Sequence, residues 1–515
     1  MSEDARSPSQ STRVLALLTV LAVAASLFLA LGRAPLFDVD EGAFSEATLE
    51  MFQRGDFLST YLNGEPRYDK PILIYWLQAA SVSLLGVSEA AFRLPSAMCA
   101  AMWVMLTFMF AQRHFGTQRA LFAAGMMGTS LGVYIIGRAA TADALLNMLI
   151  AASMFAAWMH LDTGRRSWLY ATFAAIGLGV LAKGPVAILI PFVVTFLFCW
   201  LRRDLRLWAR TTFDVRGLLL FAVIALPWYA AILHKEGYAF VQGFFLKHNV
   251  SRFSGPLQGH AGSLLYYIPV VLVGTLPFTG LLVSALAKLK TAWRDDLQCY
   301  LLLWFAFVFL FFSLSGTKLP HYVLYGMSGM FILMALYPPR RVLALLPAVI
   351  WFAFLLALPS IIEAVLPRVG DAYYRDALSE ASREFTSGYY LYCTLGLVAA
   401  IALALESRIA LSVKLVATGA MLAIGLSLFL VPIGAALQQE PIKEAALLAR
   451  SKGWDVIMWR LNAPSFSVYY GRPTPSREPQ AGDLLITKAK RLPELQGLQA
   501  ETLYSRHGIV LARVR

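Results

Sequence analysis

Residues 71–86 read PILIYWLQAASVSLLG. If this apolar stretch crosses a membrane, every later loop changes sides; if it lies on the surface, none does. The deciding loop is 202–216, which holds five arginines. Lys and Arg concentrate in the cytoplasmic loops of membrane proteins, so residues 71–86 are read as an interfacial helix on the outer surface. With that placement the other basic loops also fall inside: the N-terminus, 113–119, 165–166, 288–294, 340–341 and Arg408. The loops between them then face the periplasm of a bacterial inner membrane: 33–93, 137–142, 182–185, 235–262, 316–321, 360–386 and everything after Val431.

The composition agrees. The 515 residues are 58% hydrophobic and 15% charged, where soluble domains carry roughly a quarter charged residues. Mean hydropathy is +0.62. Apolar runs of about 16–20 residues, near the length that spans a hydrocarbon core, recur from Val14 to Val431. They predict an α-helical polytopic membrane protein of about thirteen spans, N-terminus inside and C-terminus outside. The first run, 14–31, is followed by Gly32-Arg33-Ala34-Pro35 and reads as an uncleaved span rather than a signal peptide. The net charge of +13 sits largely in the short loops, where it sets topology and excludes nucleic acid as the partner. Cys99, Cys199, Cys299 and Cys393 lie in or beside apolar runs with no CxxC pair, so no disulfide or zinc framework is expected. Residues 1–431 form the membrane domain. Residues 432–515 change composition and predict a small periplasmic α/β domain, with a helix at 442–449 and strands at 456–459, 467–470, 484–487 and 509–511.

The unusual polar residues gather in the outward loops. They are Asp38-Val39-Asp40-Glu41, Arg67-Tyr68-Asp69-Lys70, Arg138 and Asp143, Lys183, Lys247-His248 and Arg252, and Lys318-Leu319-Pro320-His321-Tyr322. Lys and Arg neutralise phosphate and a carboxylate can act as a base, so the set suits a lipid with a phosphate head. Each has a plainer use as well. Asp40-Glu41 can cap the helix at 43–52, Asp143 can cap a span, Lys70 and Lys183 can anchor at the interface, and His248 can be a packed surface histidine.

The runs FDVDEGAFSEA (37–47), YDKPILIYW (68–76), RLPSA (93–97), GRAATADALLNM (137–148), LAKGP (181–185), HNVSRF (248–253) and KLPHYVLY (318–325), in that order, resemble the ArnT/PMT group of GT-C glycosyltransferases, its ArnT branch most. The resemblance covers roughly residues 35–330. It implies a thirteen-span GT-C fold with surface helices in the first outer loop. It implies a sugar taken from a polyprenyl-phosphate (undecaprenyl-phosphate) donor and given to a lipid such as lipid A, with protein O-mannosylation as the alternative. It makes Asp40 the principal catalytic carboxylate with Glu41 beside it. Lys70 and Lys183, with Arg138 and Arg252, hold the donor phosphate. Tyr68, Asp143, Lys318, His321 and Tyr322 line the cavity, and Asp69 with His248 holds a divalent metal such as zinc. Two departures stand out: Ala43 and Phe44 replace an Arg-Tyr pair, and Asp69 replaces a glutamate. A lipid or solute transporter is the rival class, set back by charges that cluster at one face instead of crossing the membrane at its midplane.

Overall fold

The computed structural model describes residues 10–250, 262–495 and 499–515, with the backbone alone at 248–250. Helix α1 (Gln10–Phe28) leads into a connecting segment that holds α2 (Asp40–Arg54), a two-stranded hairpin of β1 (Tyr61–Leu62) and β2 (Glu65–Pro66), and α3 (Leu73–Leu85). The helix α3 has 13 residues and at 1.5 Å each is about 20 Å long, too short for a hydrocarbon core of about 30 Å. The expected helix at 71–86 is thus present and is shorter than that core. Then follow α4 (Glu89–Phe115), α5 (Thr117–Thr129), α6 (Leu131–Arg138), α7 (Asp143–Thr163), α8 (Arg166–Lys183), α9 (Val186–Leu201), α10 (Leu205–Thr212) and α11 (Val215–Glu236).

Among the described residues eight helices are long and apolar enough to cross a membrane, or nine when α5 and α6, bent by 63°, count as one. Two shorter apolar helices, α9 and Pro320–Leu336, and the segments α8 and 267–287 also belong to the bundle. The thirteen spans expected from sequence exceed the eight or nine that length and composition support among the described residues. The shortfall by length alone has a physical cause. The break between α5 and α6 faces the break at 275–278, where Leu131 donates its N–H to Leu276 O at 3.0 Å. Backbone groups freed in an apolar interior need such partners. The two segments touch through glycines: a Cβ on Gly132 would lie 3.2 Å from Gly274 O.

After Val431 the chain turns into a helix Glu440–Lys452 and a sheet of β3 (Val456–Met458), β4 (Leu484–Lys488), β5 (Ala500–Arg506) and β6 (Ile509–Val514). The strand order is β3-β4-β6-β5, parallel at β3–β4 and antiparallel elsewhere. One expectation needs correction. Residues 467–470 are not a strand but the end of a short helix, Pro464–Tyr470. Proline suits its first turn, and Phe466 and Tyr470, one turn apart, bring their rings to 5.5 Å. The strand β5 carries no sequence signal because AETLYSR lacks a buried alternation; it is the half-covered edge of the sheet.

This domain sits on the first connecting segment. The Tyr469 hydroxyl accepts from Leu36 N at 2.7 Å, Ser467 Oγ donates to Asn63 Oδ1 at 2.6 Å, and Lys443 pairs with Glu89 at 2.5 Å. The bundle thus has a domain end, where α2 and Asp143 lie, and a basic end, where α7 meets α8 and α9 meets α10.

Candidate functional site

Asp40 and Glu41 open α2, and neither caps it through its side chain. Their surroundings differ sharply. Glu41 is 5% exposed. Its Oε2 accepts from Arg93 Nη2 at 2.6 Å and Phe37 N at 2.9 Å, and its Oε1 from Arg93 Nε and Ala140 N, both at 2.8 Å. Burial pushes its pKa up, but Arg93's charge and these donors outweigh it and hold Glu41 below the usual carboxylate range. Arg93 spends its remaining N–H groups on the carbonyls of Leu31, Ala34 and Pro35. The pair therefore ties α4 to the segment that delivers Asp40. The sequence pairs Glu41 with Asp40 as catalytic; in the structure its four acceptor positions are filled by Arg93, Phe37 N and Ala140 N. Asp40 is exposed and stands at the polar end of a cavity of about 780 Å³.

Polar groups meet at that end: Asp38, Asp40, Arg138, Asp143 and His321, while Leu131, Ile135, Val270 and Leu324 are among the apolar wall residues. Arg138 is anchored by the carbonyls of Ser26 at 2.9 Å and Leu29 at 2.7 Å. Asp38 reaches across to the C-terminal domain. It accepts from Ser465 N at 2.9 Å and is paired with the Ser465 hydroxyl. Burial pushes its pKa up to about 7 against those hydrogen bonds, with Glu41's charge adding to the rise. An ordinary aspartate titrates near about 3.9. The fold thus favours protonated Asp38, and its contribution to stability is full below about pH 4 and is lost as pH rises through about 7. Melting temperature in detergent should fall between about pH 5 and pH 8 more steeply for the wild type than for Asp38→Asn. Parallel profiles would contradict this assignment.

On the cavity wall Asp143 pairs with Lys183. Tyr325 closes a triangle, its hydroxyl accepting from Lys183 at 2.9 Å and donating to Asp143 at 2.8 Å. His321 Nε2 lies 3.5 Å from the same carboxylate oxygen, and the Tyr322 ring centre is 5.5 Å from Lys183 Nζ. An ammonium has three donors, so the triangle leaves Lys183 one N–H with no partner among the described residues. A second cationic group stands on the connecting segment: Lys70 binds Asp69 at 2.7 Å and Arg67 binds it at 3.3 Å. Burial lowers the pKa of Arg67, but Tyr75, Asp69 and Asp40 more than offset it.

Of the residues singled out from sequence, the structure brings Asp143, Lys183, His321 and Tyr322 together, and sets Asp69 beside Lys70. Two lie apart. The Tyr68 hydroxyl donates to Glu236 at 2.8 Å, and burial with that bond pushes its pKa up to about 12. Lys318 is buried with its ammonium on Ser315 O at 2.6 Å. The side chain of His248, and all of Arg252, lie outside the described residues. Asp69 carries two cationic partners, which fits a divalent ion poorly, and no group of three His, Cys, Asp or Glu residues suited to a metal occurs among the described residues. Sequence reading assigns no separate role to Asp38, Arg93 or Tyr325. For Arg93 a signal was available, since a charge inside an apolar run is seldom incidental.

Helices and cavity together describe a multi-pass membrane protein. Within that class its likeness is to ArnT. A crystal structure of ArnT from Cupriavidus metallidurans bound to undecaprenyl phosphate superposes with a TM-score of 0.80 at 20% identity, covering 96% of this chain and 97% of that one. The undecaprenyl phosphate-α-4-amino-4-deoxy-L-arabinose arabinosyl transferase of Aeromonas hydrophila is 32% identical over 316 residues, 60% of this chain and 57% of its own length. The Pseudomonas aeruginosa transferase of the same name is 30% identical over 300 residues, 55% and 52%. The chain thus spans little more than half the length of these curated relatives. A family model described as dolichyl-phosphate-mannose-protein mannosyltransferase matches residues 69–230.

Proposed function

We propose that the protein is a membrane glycosyltransferase that moves a sugar from a polyprenyl-phosphate donor to a lipid acceptor at the periplasmic face of the bacterial inner membrane. The observation that carries this reading is the cavity of about 780 Å³: largely apolar walls, with the exposed Asp40 carboxylate and the anchored Arg138 among its lining. The basic loops at the other end of the bundle support the orientation.

The reaction is a displacement at the anomeric carbon. The acceptor oxygen forms a bond to that carbon while the carbon–oxygen bond to the carrier phosphate breaks, and polyprenyl phosphate leaves with the electron pair. Lys183 supplies its third N–H to the departing phosphate, Lys70 adds charge, and Asp143 with Tyr325 holds Lys183 in place. A hydroxyl acceptor gives its proton to Asp40. A phosphate acceptor needs no base at neutral pH, and Asp40 then orients it. No step is routed through a metal on Asp69 and His248.

A charge-assisted hydrogen bond contributes about 1.5–3 kcal/mol, so Lys183→Ala should lower kcat/KM for the lipid donor about 10- to 150-fold. Unchanged donor kinetics would remove Lys183 from the phosphate site. The match to mannosyltransferases favours protein hydroxyls as a second acceptor class. Supplying purified protein with undecaprenyl-phosphate sugars plus either a lipid A fraction or a Ser/Thr-rich peptide separates the two.

A further inference from the structure

A second cavity, of about 300 Å³, opens at the basic end, far from Asp40 in the fold. Its walls come from α7, α8, α9 and α11, and the last residues of α10, Thr211 and Thr212, close it. Exposed apolar rings and side chains stand in its lining: Phe192 (41%), Phe213 (61%) and Leu218 (41%). The helix α10 reads LRLWARTT. Trp208 turns inward and packs on Phe192 and Phe196 with ring centres 5.1 Å apart in each case. Arg206 and Arg210, one turn apart, share its exposed face.

The charge around this opening is one-sided. Arg203, Arg206, Arg210 and Arg216 are exposed and form no ion pair among the described residues; Arg202 pairs with Asp296 at 2.5 Å. The nearby acids form no ion pair with these arginines among the described residues: Asp204 caps α10 through Leu207 N at 3.0 Å and Asp214 caps α11 through Gly217 N at 2.9 Å. Arg165 and Arg166 join from the turn between α7 and α8, where the ring of His160, a cavity residue, meets Arg165 O at 3.0 Å.

Topology alone asks only for positive charge in this loop. It does not ask for an amphipathic helix laid over an apolar cavity. We propose that this end of the bundle is a binding site for one anionic phospholipid, its phosphate held by Arg206 and Arg210 and an acyl chain lying in the cavity. Guanidinium groups match phosphate oxygens in pairs, and the apolar lining would otherwise face a space without a partner. The site stands independently of the glycosyl-transfer reading, since none of its residues lies near Asp40.

The test uses the full-length protein in detergent, with added phosphatidylglycerol or phosphatidylcholine, read by native mass spectrometry and by melting temperature. Phosphatidylglycerol should be retained preferentially and should raise the melting temperature. Each arginine near an anionic phosphate is worth about fivefold in binding, so Arg206→Ala with Arg210→Ala should weaken retention about 25-fold. Thr212→Trp, which fills the cavity and leaves the arginines, should also lose it. Equal retention of the two lipids by the wild type overturns the proposal, whether or not a variant folds. So does undiminished phosphatidylglycerol retention by either variant.

Discussion

Replacing Asp40 with Asn should lower transfer to a hydroxyl acceptor by about 10²–10⁴-fold, the usual contribution of a positioned base. The amide would keep the shape and one hydrogen-bond acceptor but could not take the proton. Transfer to a phosphate acceptor should fall less, because only orientation is lost. The contrast between acceptors therefore reports which role Asp40 plays. Both can be read as release of labelled sugar from the lipid donor. The neighbouring carboxylate cannot stand in, since Glu41 is locked by Arg93 and two backbone N–H groups.

The second large effect is structural. Arg93→Ala leaves Glu41 buried as an uncompensated charge, and breaking a buried pair in this way costs about 3–5 kcal/mol. It also orphans the carbonyls of Leu31, Ala34 and Pro35, which Arg93 now serves. The variant should be depleted from the membrane fraction and melt well below the wild type. Glu41→Gln in the same chain should recover part of the loss by removing the stranded charge. Arg93→Ala at wild-type stability would contradict the clamp.

The alternation of basic and polar loops made the bundle legible, and the same bookkeeping read residues 71–86 as a helix outside the spans, where the structure has a helix of 13 residues. Asp40, Asp143, Lys183 and His321 were legible because each is a charged or titratable group at the end of an apolar run. What escaped were pairings over long separations. Asp38 and Ser465 are 427 residues apart, and Glu41 and Arg93 are 52 apart. Nothing local marks which carboxylate in DVDE faces a guanidinium and which faces the cavity. Periodicity also failed at 467–470, because a short helix buried on all sides carries no amphipathic signature.

The most direct test gives purified protein an undecaprenyl-phosphate-linked sugar, labelled in the sugar, with a membrane lipid extract as acceptor. The label should leave the carrier for the acceptor, free undecaprenyl phosphate should accumulate in step, and Lys183→Ala should slow both. Donors that stay intact, or that cross the bilayer unchanged, would contradict glycosyl transfer and favour a transporter.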